Sequence, residues 1–166
     1  MPSAEYNTTP REIRNFAALQ LGLTGVFLVA LFWLCGGTDA DYPPPWLSAA
    51  LLVPLVVAAV FAERVWLNGS PLSAELDETL LRSEAVDVYA SQTFRKLIYV
   101  EAAMLPAIAL GFAGSYGAWP IVVAGFPGIL LLAWETFPTR RNLSRTEAML
   151  DSRGAESGLV ERFRDL

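Results

Sequence analysis

Apolar residues gather in four blocks along this chain, roughly 16–35, 46–67, 97–114 and 119–137, separated by charged or Pro/Gly-rich segments. Blocks of about 20 residues match the length of a helix that crosses a bilayer at ~1.5 Å rise per residue. A soluble domain would disperse its apolar positions at helix or strand period instead. The pattern predicts an all-α integral membrane four-helix bundle.

Local signals place the boundaries. Residues 1–8 are polar and expected to be mobile. Thr9-Pro10-Arg11-Glu12 supplies an N-cap, a proline at the first helical position and a glutamate at the third, so helix 1 should start there and run to about Leu34. A cleaved signal peptide is the rival reading of this block. The apolar run is long for a signal core, however, and Trp33 and Leu34 precede Cys35 where small residues would be needed. Gly36–Trp46 reads as a loop held extended by Pro43-Pro44-Pro45. Helix 2 should span about Trp46–Leu67 and end at Asn68-Gly69-Ser70-Pro71.

Residues 68–96 form the one sizeable polar loop. Ser73 is placed to cap a short amphipathic helix through Leu81. Ser83 is placed to cap a second one that continues through Tyr89 and Phe94 into helix 3. Helix 3 should enter the membrane near Leu97 and leave near Gly114. The turn Ser115–Trp119 then forces an antiparallel return, with helix 4 running from Pro120 to about Phe137 and stopped by Pro138. Thr139 to about Arg153 reads as a further helix, with Ser144 and Glu147 as a capping box and Gly154 as its stop; a last turn covers Gly158–Arg164. The chain thus divides into a membrane domain, 1–138, and a helical tail, 139–166. Pro54, Pro106 and Pro127 predict kinks in three of the four helices.

Charge sets the expected orientation. All twelve cations fall before the apolar part of helix 1, around the middle loop or after helix 4, and the two other loops carry none. Both termini should therefore be cytosolic. Trp33, Trp46 and Trp119 would lie at the outer boundary, Trp66 and Trp134 at the inner one, where indole rings are favoured.

Composition narrows the chemistry. There is no histidine and a single cysteine, Cys35. That removes the commonest general base, haem and zinc ligand, and any redox pair. The net charge is −5 and the cations are scattered at membrane boundaries, so no nucleic-acid partner is expected. No phosphate-binding glycine loop is present. The chain is expected to be no enzyme and to hold no metal or cofactor.

The stretch Phe94–Ala103 carries most of the remaining interest. Arg95 and Lys96 stand at the membrane boundary, and Glu101 follows about one turn inside the apolar run. Glu63 and Glu135 interrupt the other blocks at a matching depth, with Arg64 and Arg140 nearby. An ionisable group in a span costs up to ~3 kcal/mol, so three at one depth look placed. Glu63, Arg64, Arg95, Lys96, Glu101 and Glu135 are therefore the candidates for ion pairs that register the helices, for contacts with a partner, or for ion or proton binding. Ala103, Ala107 and Gly111 on helix 3, and Ala124 and Gly128 on helix 4, form small-residue rows that allow close helix packing.

Phe94-Arg95, Glu101-Ala102, Gly111-Phe112, Pro138-Thr139, Asn142, Gly154 and Ser157 carry a further signal. Over residues 94–159 the chain resembles a group of small four-helix membrane proteins of actinobacteria. The resemblance implies a bacterial inner-membrane protein and brings no activity with it. The functional expectation is a non-catalytic accessory or assembly subunit of a larger inner-membrane complex, in contact with lipids and partner subunits. A respiratory complex and a multi-subunit lipid importer are candidate hosts. The alternative is a small homo-oligomeric ion- or proton-coupled transporter or channel using Glu101, Glu63 and Glu135.

Overall fold

The computed structural model describes residues 8–164, and every regular element among them is helical. Residues 1–7, most of the stretch expected to be mobile, lie outside the described residues. Helix α1 (Pro10–Leu34) starts at the capping box: Thr9 Oγ1 accepts from the Glu12 amide at 3.3 Å, and the Glu12 carboxylate accepts from the Thr9 amide at 2.7 Å. Helix α2 (Pro45–Arg64) tightens into a 3-10 turn over Val65–Asn68. The longest element is α3 (Glu78–Ala113), and α4 (Ile121–Thr136) follows. After Pro138 come α5 (Arg140–Leu150), a 3-10 turn at Asp151–Arg153, and the short α6 (Leu159–Arg162).

Three helices, α1, α2 with its 3-10 turn, and α3, are long and apolar enough to cross a membrane. A fourth span exists if α4 and the following segment, bent by 48° at Phe137–Thr139, are taken together. Only 22% of the apolar window is buried within the chain in both α1 and α2. Val26 and Phe27 on α1, and Val53, Val56 and Phe61 on α2, stand exposed. A surface of that extent is costly in water and comfortable in hydrocarbon. The fold is compatible with a multi-pass membrane protein.

The small-residue rows lie inside the bundle. Ala103, Ala107, Gly111, Ala124 and Gly128 are all buried. A β-carbon at Gly128 would stand 2.4 Å from Met104 Sδ, and one at Gly111 would stand 3.2 Å from Ile121 Cδ1. Each glycine therefore makes room for a side chain of the facing helix, Met104 against Gly128 and Ile121 against Gly111. Of the three prolines, Pro54 and Pro106 sit within helices that continue through them. Pro127 has a different setting. The five residues Ile121–Gly125 wind as a π-turn, and regular α-helix resumes at Phe126 with Pro127 in its first turn. A proline there has no N–H to donate and crowds the carbonyl four residues back, and a widened turn relieves both.

At the end of the bundle away from the termini, the α1–α2 loop and the α3–α4 turn are tied together. The Ala118 amide donates to the Gly37 carbonyl at 2.8 Å, and Trp119 Nε1 donates to the Ala40 carbonyl at 3.0 Å. Tyr42 packs edge-on against Trp119.

The opposite end, here the capped end, holds a second hydrophobic core below the spans. It joins Ile13, Leu72, Val86, Tyr89, Leu143, Leu150 and Leu159. The apolar sides of the 69–96 segment and of the tail thus bury one another. Three local expectations are corrected here. Ser73 caps no helix; its hydroxyl accepts from the Glu75 amide in a turn, and Asp77 caps α3 instead by accepting from the Thr79 amide at 3.2 Å. A carboxylate is favoured at a helix N-terminus, and the Leu72 amide bonding to the Leu150 carbonyl holds the chain in a non-helical path just before it. Ser83 starts no second helix but lies inside α3, its hydroxyl donating to the Leu80 carbonyl at 3.0 Å. Ser144 and Glu147 form no capping box. Thr139 caps α5, which places Ser144 in its interior.

Candidate functional site

The three embedded glutamates end in two different settings. Glu135 and Lys96 face each other between α4 and α3, only 2% and 8% exposed. Lys96 Nζ lies 3.1 Å from Glu135 Oε2 and donates to the Glu135 backbone carbonyl at 3.4 Å. Arg141 of α5 reaches the same carboxylate, Nη1 to Oε1 at 3.7 Å, and also pairs with Glu63 at the end of α2. Arg145, one turn further along α5, pairs with the other oxygen of Glu63. Arg141 is additionally stacked over the Trp134 ring, 4.9 Å from its centroid. Three cations and two carboxylates thus bind α2, α3, α4 and α5 at one level.

Asn142 completes this cluster. Its Nδ2 donates to the carbonyls of Trp134, Glu135 and Phe137 at 3.0, 3.2 and 2.9 Å. A helix leaves its last C=O groups without helical partners, and past Thr136, where α4 ends, Asn142 shares these carbonyls with Lys96, which donates to Glu135, and with the Thr139 amide, which donates to Phe137 at 2.7 Å. One turn along, Thr146 Oγ1 donates to Gln92 Oε1 at 2.8 Å and ties α5 to α3 inside the capped-end core.

Glu101 belongs to neither pair. Its Oε1 accepts from Gln20 Nε2 at 2.7 Å and from Thr24 Oγ1 at 3.0 Å, both on α1. No cation among the described residues pairs with it. These three side chains line a groove of about 300 Å³ between α1 and α3, continued by Leu23, Phe27, Leu105 and Ile108. Leu23, Phe27 and Leu105 on its walls are exposed, so the groove opens to the outside of the bundle.

Of the candidates, Glu63, Lys96 and Glu135 come together and Glu101 stands apart. Arg64 and Arg95 point away, exposed, and form no ion pair with another described residue. The same holds for Arg140, whose expected place at the glutamates is taken by Arg141 and Arg145. The spacing of four between those two arginines was the available signal, because it puts both on one face of a helix. Gln20 and Thr24 were also missed. They stand four apart in helix 1, and only the packing of α1 on α3 shows what they face.

Among the described residues no group of His, Cys, Asp or Glu is arranged to hold a metal ion. No family model matches the chain, and neither a curated protein nor a solved structure is found similar to it.

Proposed function

We propose that this chain is a non-catalytic accessory or assembly subunit of a larger bacterial inner-membrane complex, spanning the membrane four times with the capped end and both termini in the cytosol. The orientation rests on charge: Arg64, Arg95, Lys96 and the arginines of the tail all lie at the capped end, as the positive-inside rule requires of a cytosolic face.

The observation that carries the subunit reading is the contrast among the three glutamates. Glu63 and Glu135 are answered by Lys96, Arg141 and Arg145 within the chain. Among the described residues, Glu101 is answered by two neutral donors, in a groove open to the outside of the bundle. An ionisable group in a span is expensive unless something meets it, so the charge balance asks for a component from outside the chain. The amphipathic segment and tail support the reading less than their sequence promised, because their apolar sides are spent on each other. A respiratory complex and a lipid importer both remain candidate hosts.

Glu101 also motivates the second reading, an ion- or proton-coupled transporter working as a homo-oligomer. That reading places Glu63 and Glu135 on the same path, whereas both are engaged in ion pairs apart from the groove.

The test is extraction of the tagged chain from its native membranes in mild detergent, with mass determination of the intact assembly. A hetero-complex of fixed stoichiometry is expected. A monomer or pure homo-oligomer defeats the subunit reading. Proton or cation flux in liposomes that E101Q abolishes would then establish the transporter.

A further inference from the structure

We infer that the α1–α3 groove receives a membrane helix of a partner subunit, and that a lysine or arginine on that helix pairs with Glu101. This rests on the subunit reading and goes beyond it by naming the surface and the chemistry of what covers it.

The groove has a direction. Glu101 and Gln20 lie at its end nearer the capped face, and Phe27 and Ile108 lie toward the far face, seven residues further along each helix, about 10 Å of rise. The occupant must therefore be apolar over about two turns and carry its polar group at the inner-leaflet end. A membrane helix with a basic residue near its cytosolic boundary has that profile.

The hydrogen bonds favour a side-chain cation over a bare one. Gln20 and Thr24 both direct donors at Glu101 Oε1. They hold the carboxylate through one oxygen, and no described residue donates to Oε2. A bare metal cation needs several oxygens turned toward it. An ammonium or guanidinium needs only one or two acceptors, and its bonds to a carboxylate are strong where water is excluded.

Among the described residues, a second copy of the chain presents no cation at this level: Arg11 and Arg14 on α1 lie nine and six residues nearer the capped face than Gln20. Lys96 is consumed by Glu135. Arg95 lies six residues nearer the capped face than Glu101, about 9 Å of rise, and parallel copies in one bilayer keep that offset.

The experiment compares wild type, E101Q and L105W, extracted from native membranes and scored by quantitative mass spectrometry of the co-purifying chains. E101Q keeps the shape and removes the charge. L105W fills the groove at an exposed position and leaves the carboxylate intact. Wild type should bring down one membrane chain in fixed ratio, with a Lys or Arg inside a span. Both variants should lose it on the order of tenfold or more. E101K combined with that Lys or Arg changed to Glu should restore recovery, which a merely misfolded variant would not. A partner retained by E101Q at the wild-type ratio, or one lacking a basic residue in its spans, overturns this inference and leaves the subunit reading standing. A wild-type chain that purifies with no partner overturns both.

Discussion

Lys96 Nζ and Glu135 Oε2 stand 3.1 Å apart between α3 and α4, with both side chains almost wholly removed from solvent. Removing Glu135 strands Lys96, which typically costs about 3–5 kcal/mol, whereas removing Lys96 leaves Glu135 the longer pair with Arg141. Lys96→Met and Glu135→Leu should each lower thermal stability in detergent markedly. The double variant should recover most of the loss, because two apolar side chains can replace a buried pair. A double variant that loses as much as the two single variants together would show that the pair is not coupled.

Arg141 and Arg145 both meet Glu63, yet they should differ. Arg145 is half exposed and, among the described residues, pairs with Glu63 alone, so Arg145→Gln should cost at most about 1 kcal/mol. Arg141 also meets Glu135, the Asn142 side chain and the Trp134 ring. Arg141→Gln should therefore cost more, on the order of 2 kcal/mol. Denaturant midpoints of the two variants provide the check, and equal effects would contradict the network as described.

Two glycines, one on α1 and one on α4, should respond in opposite ways to alanine. A β-carbon at Gly22 meets nothing within 4 Å, so Gly22→Ala should be neutral or stabilising by up to about 1 kcal/mol through helix propensity. At Gly128 the added carbon falls 2.4 Å from Met104 Sδ. Gly128→Ala must displace the methionine and should destabilise by about 1–3 kcal/mol. Parallel melting curves decide it.

The Thr79 hydroxyl and amide hold the Asp77 carboxyl below the usual aspartate range. A folded value below the unfolded one means that the cap's contribution is complete above the unfolded value and is lost as pH falls through the folded one. Amide exchange in the first turn of α3 should accelerate over that acid window. Asp77→Asn, which caps without titrating, should remove the dependence. An unchanged pH profile in Asp77→Asn would mean that another group controls the turn.

What could be read along the chain was whatever depends on neighbours in sequence. Apolar block length sets the number of helices able to span a bilayer, and Thr9, Pro10 and Glu12 interact within one turn, so the start of α1 needed no tertiary information. The start of α3 was less legible. Ser73 and Asp77 are both good caps, and the choice between them follows from Leu72 being drawn against Leu150, a contact spanning 78 residues. The same limit applied to the charges. Arg140 and Arg141 are adjacent and chemically identical, and only the way α5 folds back after Pro138 determines which one faces Glu63 and Glu135. Depth along each helix grouped the three glutamates, because depth is a count of residues. The side of the helix each one faces, and so whether it meets a cation or an open groove, depends on how α1 and α5 pack against α3, and that was decided by the tertiary structure alone.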